Sequence, residues 1–191
     1  MNSLRAIPLY EKPIKGVFCA PNKFLHLCKH SVSQNMLPVM EDDSYFIFVR
    51  AGKGQLIING VAFEIYKDCV CWIQGTQVLS VRPDTKTGLE LWSITYDYVL
   101  INYHMFMSSP LATRMSIVTQ SPILYPEDGS TQEFRQIFED FNNINTRYDN
   151  GTAMVKTSLL GRLSLLFGMS IGSREIPAVE QFPLGWQASI Y

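Results

Sequence analysis

The chain is poor in charge and poor in the side chains that most catalytic chemistry needs. Only 17% of its 191 residues are charged, and 16 basic against 17 acidic groups leave a net charge of -1. A segment that grips nucleic acid normally presents a basic face, so this one is not expected to touch DNA itself. Three histidines and four cysteines are a short inventory for a metal enzyme, which needs several ligands converging on one ion. No Gly-rich phosphate loop, nucleophile elbow or Cys-x-x-Cys pair occurs. The first twenty residues hold Pro8, Glu11, Lys12, Pro13 and Lys15 where a secretory signal would be apolar, and no later run reads as long enough to span a bilayer. The expectation is a cytoplasmic chain with free thiols and no membrane partner. Asn150-Gly151-Thr152 has the form of a glycosylation sequon, and without a secretory signal it reads as a turn between helices.

Apolar residues are 47% of the sequence, enough for one domain that buries roughly 70% of its unfolded surface. The longest uniform pattern lies between Tyr45 and Arg82 and reads as consecutive strands. Tyr45 to Arg50 is aromatic and β-branched, Gly52-Lys53-Gly54 breaks it, and Gln55 to Asn59 resumes it. Asn59-Gly60 suits a type I′ turn, whose two central residues need positive φ, so Gln55–Ile58 should pair antiparallel with Val61–Ile65. Cys69–Ile73 and Gln77–Arg82 follow around a Gln74-Gly75-Thr76 turn. Short strands at regular spacing predict a sandwich or small barrel.

The ordered series Tyr45, Arg50-Ala51-Gly52-Lys53-Gly54, Ile58-Asn59-Gly60, Asp68 and Gly75-Thr76 resembles the effector-binding domain of the arabinose-regulator (AraC-type) family of bacterial transcription factors. The resemblance implies a mainly β fold with C-terminal helices: a cupin-like antiparallel β-barrel, or double-stranded β-helix, followed by a helical pair. It implies an arm and barrel over residues 1–125, helices over 126–172, and a linker over 173–191 toward a DNA-binding helix-turn-helix domain absent from this chain. Many members carry Pro-Pro before the second turn and a histidine after it; this chain has Ile73-Gln74 and Val78 there.

Along the rest of the chain, Met1 to Pro21 forms a proline-punctuated arm. It either folds over the ligand mouth, as the resemblance implies, or packs as an edge strand. Phe24 to Val32 reads as a strand with Phe24, His26, Cys28 and His30 on one face. His-x-Cys-x-His is metal-like in residue type, but i and i+2 neighbours on a strand share a tetrahedral ion poorly, so no metal is assigned. Gln34 to Ser44 reads as a loop. In Leu89 to Tyr98 the layout of the resembled family places Leu89, Leu91, Ser93 and Thr95 inward, with Val78, Ser80 and Arg82 beside them. A register shift of one would instead bring Trp92 inward. Met115 to Leu124 adds a short strand, and His104 reads as an ordinary polar side chain.

Ser130-x-x-Glu133 fits a capping box that opens a helix through Phe134, Ile137, Phe138, Phe141 and Ile144, ending near Asn150-Gly151. Thr152 to Ser170 forms a second helix, apolar on more than one face, and such a helix must bury the excess against something. Met154, Leu160, Leu163 and Phe167 are the candidate dimer contacts, the other reading being that both faces pack within one subunit.

The leading expectation is therefore a non-enzymatic domain, free of cofactors, that binds a small-molecule effector and forms a homodimer. Tyr45, Ser80, Arg82, Ser93 and Thr95 are the candidate hydrogen-bonding groups, with Trp92 as the aromatic alternative. Arg82 either clamps an anionic group through its planar fork or pairs with an acidic residue at the rim. The alternatives are a stand-alone ligand-binding module and a metal-dependent cupin isomerase or dioxygenase.

Overall fold

The computed structural model describes residues 25–40, 43–75, 77–96, 122–126, 130–145 and 150–172. The expected arm, His104, most of the Met115–Leu124 strand and the linker with its following helical turn lie outside them. The strands are β1 (His26–Val32), β2 (Val39–Met40), β3 (Ser44–Ile58), β4 (Val61–Tyr66), β5 (Val70–Ile73), β6 (Val78–Pro83), β7 (Leu89–Tyr96) and β8 (Ile123–Leu124). Two helices follow, α1 (Thr131–Ile144) and α2 (Asn150–Gly172). The architecture is the expected one: a cupin-like antiparallel β-barrel with a helical pair behind it.

β3 organises the barrel. The predicted break at Gly52-Lys53-Gly54 does not end the strand, which runs through 15 residues and belongs to two sheets. Its first half lies between β5 and β7, in the order β1-β7-β3-β5-β8, and its second half pairs with β4 and β6. The crossing is a bulge between Val49 and Ala51. One extra residue reverses which side chains face inward, so Tyr45, Ile47 and Val49 line the interior before it, and Leu56 and Ile58 after it. Gly52 follows at φ 82, and a Cβ there would lie 2.0 Å from the Gly88 carbonyl oxygen, so the strand passes β7 only because this residue has no side chain. The Asn59-Gly60 hairpin forms as read, with φ of 50 and 84 and Ile58 opposite Val61.

The barrel has two apolar faces. Inside, Val32, Val49, Leu56, Ile65, Leu79, Val81 and Leu91 form one buried cluster. Outside the first sheet, Phe46, Phe48, Trp72, Ile94 and Tyr96 form a second with Phe134, Phe138, Phe141, Leu160, Leu163 and Phe167 of the helices. Phe167 packs edge-on to Phe46, Trp72 and Phe134 with centroids 5.9, 5.5 and 6.4 Å away. Trp72 Nε1 donates to the Tyr96 hydroxyl, which satisfies the polar end of a buried indole. An Arg135 nitrogen lies 2.7 Å from both oxygens of Asp68 and fixes α1 to the turn before β5.

Several local expectations change. Ser130 adopts φ 56 and makes no side-chain cap hydrogen bond, so the capping box is not formed. The Thr131 hydroxyl donates to the Pro126 carbonyl instead, at 3.0 Å. α1 ends at Ile144, and Asn150 belongs to α2 rather than to the end of α1. The loop over Gln34 to Ser44 contains the short strand β2, paired with β6. The expectation that no run is long enough to span a bilayer is corrected: the helix over Gly151–Ile171 is long and apolar enough by length and composition. In the fold Leu160, Leu163, Phe167 and Ile171 of that stretch are 0–2% exposed, packed on the sheet and α1.

Candidate functional site

The strand register sorts the interior side chains of the first sheet into rows. His26 stands beside Thr95 and Thr95 beside Tyr45; Cys28 stands beside Ser93, Ser93 beside Ile47, and Ile47 beside Cys71; His30 stands beside Leu91. Hydroxyl, imidazole and thiol groups thus collect toward the end of the barrel where β1 and β3 begin and β7 finishes. The far end, around Val32, Leu56, Ile65 and Leu89, is apolar. None of the described strand residues facing the interior is charged. Ser93 is fully buried, Thr95 is 4% exposed and Tyr45 1%.

His30 links this strip to the outside. Its Nε2 and Ser93 Oγ share a 2.8 Å hydrogen bond. It also lines a cleft of about 450 Å³ with Val32, Gln34, Asn35, Met36 and Val39, formed where the chain leaves β1 and returns as β2. The Met36 amide donates to the Val81 carbonyl at 2.8 Å, which pins that loop to β6. The size falls within the range of small-molecule sites.

Burial holds the His30 imidazole below its ordinary 6.5. A buried base that resists protonation makes the folded state weaker in acid. The stability tied to neutral His30 is complete above pH 6.5 and is lost as pH falls through its lowered pKa. His30→Gln should flatten that part of the decline in thermal melts between pH 7.5 and 5. An unchanged pH dependence would assign the acid loss to other groups. Burial, and then the neighbouring Cys69, push the Cys71 thiol well up, so Cys71 serves as a small apolar wall residue.

The structure brings together Tyr45, Ser93 and Thr95 and separates them from the other sequence candidates. Ser80 and Arg82 sit on the outward face of β6, because Leu56 pairs with Val81 and Ile58 with Leu79, which turns the odd residues of β6 inward. By that register the inward placement of Ser80 and Arg82 is corrected; Arg82 is exposed, Ser80 is 7% exposed on the same outward face, and Val78 likewise faces out at 38% exposure. Trp92 points away from the interior too. Its ring lies under Lys29 and Arg50, with the charged groups 4.8 and 4.5 Å from the centroid, and Arg50 also pairs with Glu139 at 2.9 Å. His30 and the cleft loop were the residues sequence reading did not assign to ligand binding. The signal was present in the alternation that set His26, Cys28 and His30 on one face. Among the described residues no three His, Cys, Asp or Glu side chains form a group able to hold a metal.

The predicted dimer contacts divide. Leu160, Leu163 and Phe167 are interior residues of the subunit, 0–1% exposed, and are withdrawn as interface positions. Met154 is 75% exposed and shares the outer face of α2 with Val155, Leu165 and Met169. Nothing lies within 4 Å of a Cβ built on Gly161, between them on the same helix.

No protein family matches the sequence. No well-characterised protein matches it significantly either. Among solved structures, the chain overlaps the protein BH2720 of Bacillus halodurans at 19% identity, over 37% of this chain and 61% of that one, with a TM-score of 0.35. It overlaps a cupin protein of Bacteroides fragilis at 11% identity, over 38% and 63%, with a TM-score of 0.34. The cupin domain of Schizosaccharomyces pombe Cnp3 overlaps at 15% identity, over 41% and 58%, with a TM-score of 0.35. In each case the aligned part spans less than two thirds of the other chain.

Proposed function

We propose that this chain is the effector-binding and dimerisation domain of an AraC-type transcription regulator, with a small molecule held in the barrel. The observation that carries the reading is the polar end of the interior, where Tyr45, Ser93 and Thr95 lie with His26, Cys28 and His30, and where the His30–Ser93 hydrogen bond leads toward an open cleft lined by His30. Apolar walls with a few fixed polar groups are the usual make-up of such sites. With hydroxyl and imidazole groups but no interior charge among the described strands, the buried part of the ligand is uncharged and hydrogen-bonding. The outer face of α2, where Met154, Val155, Leu165 and Met169 are exposed beside Ser158 and Arg162, supports association with a second copy, since a two-fold contact covers the same face on both partners. DNA contact belongs to a further domain, as the sequence resemblance implies.

The test is a thermal-shift screen of neutral hydroxylated, aromatic and anionic small molecules, followed by titration of the strongest stabiliser. Loss of a buried hydrogen-bonding partner costs about 1–3 kcal/mol, so Ser93→Ala or Tyr45→Phe should weaken binding on the order of ten-fold or more. Arg82→Ala should leave it within about two-fold, because its side chain is outside. Binding confined to anions and abolished by Arg82→Ala would overturn this reading.

A second reading, a metal-dependent cupin enzyme, would have to draw ligands from beyond the described residues, among which no metal-holding group forms. Metal analysis of the purified protein separates the two: a stoichiometric, tightly held ion favours the enzyme.

A further inference from the structure

The inner wall of the candidate site is carried in part by β1, whose pairing among the described residues is with β7 along one edge. Its other edge is met by a side chain. Asn145, the residue that caps α1, accepts the Leu27 amide N–H on Oδ1 at 3.0 Å and donates from Nδ2 to the Leu27 carbonyl at 2.8 Å. This reciprocal pair reproduces what a neighbouring antiparallel strand residue would supply, and it satisfies both backbone groups of Leu27. The same Nδ2 lies 3.5 Å from His26 Nε2. On the helix side, the Asn145 backbone carbonyl receives Lys156 Nζ of α2 at 3.4 Å, and Lys156 is only 7% exposed. A buried ammonium at the carbonyl end of α1 is favourably placed against the helix dipole.

We infer that Asn145 is a positioning residue that couples the β1 wall of the barrel to the start of α2. Strand residues His26, Cys28 and His30 face the interior on one side of Leu27, and Lys156 lies on α2 between the exposed Met154 and the buried Leu160. A displacement of β1 therefore pulls on the residue whose carbonyl holds Lys156 in the first turns of α2. Coupling of this kind needs a continuous physical connection, and the connection here is three hydrogen bonds through one residue. Its regulatory meaning rests on the ligand-binding reading above. The connection itself can be measured without any ligand, so the two can fail separately.

The experiment is residue-resolved amide hydrogen exchange on the full 191-residue chain. Asn145→Ala should speed exchange of the Leu27 amide by about ten-fold or more, and speed exchange in the Thr152–Leu160 turns of α2 as well. Asn145→Asp keeps the acceptor for the Leu27 N–H and loses the donor to its carbonyl, so it should fall between. Lys156→Met, which leaves Asn145 in place, should speed exchange at Leu27 and decides the matter if Asn145→Ala does not fold. Faster exchange at Leu27 with α2 unchanged in Asn145→Ala, or an unchanged Leu27 in Lys156→Met, would reduce Asn145 to a local strand clamp and overturn the coupling.

Discussion

Phe167→Ala should destabilise the subunit by about 3–5 kcal/mol, the usual cost of removing a fully buried phenyl ring. The ring is 0% exposed and lies among Phe46, Trp72 and Phe134, so its loss opens a cavity where sheet and both helices meet. Collapse around the void is limited because Trp72 is held by its bond to Tyr96 and Phe46 lies in the middle of a three-strand contact. Denaturant unfolding at several protein concentrations would show it. The midpoint should fall by the same amount at every concentration, as a defect inside one subunit requires. A loss that appears only on dilution would instead return Phe167 to a subunit interface.

The outer face of α2 should behave in the opposite way. Leu165 is 48% exposed and Met169 63%, so Leu165→Glu with Met169→Glu places two carboxylates in water in the isolated subunit. Surface changes of this type shift stability by roughly 0.5 kcal/mol or less. Across the proposed two-fold contact each change occurs twice, bringing four carboxylates against the two Arg162 side chains of that face, and each carboxylate left unpaired and buried there costs about 3–5 kcal/mol. Where the unaltered chain sediments as the proposed dimer, the doubly substituted chain should sediment as monomer at the same concentration, with a melting curve extrapolated to the same monomer stability. A doubly substituted chain that still sediments as a dimer would move the interface elsewhere.

Phe167 lies two residues from both Leu165 and Met169 in one helix, and the contrast shows where sequence reasoning stops. α2 is apolar on more than one face, with polar residues scattered around it, so its periodicity has no preferred direction, and Leu160, Leu163 and Phe167 could not be told from Met154, Leu165 and Met169 as inward or outward. Only packing against Phe46, Trp72 and α1 selects the buried face. The hydrogen bonds of Asn145 to Leu27 join residues 118 apart, and no local pattern announces a contact of that separation.

The sequence by itself determined the elements and their order. Alternating aromatic and β-branched residues with Asn59-Gly60 between them specify an antiparallel hairpin, because period-two burial and positive φ are local requirements. The same alternation put Ser93 and Thr95 on one face of β7 with Leu89 and Leu91. Tertiary structure decided which face each strand turns inward. The bulge between Val49 and Ala51 reverses β3, its pairing with β6 carries that reversal to Ser80 and Arg82, and both end up outside the barrel. A one-residue irregularity at a crossing between sheets is stabilised by contacts distant in sequence, here Gly52 against Gly88, and so could not be read from the strand that contains it.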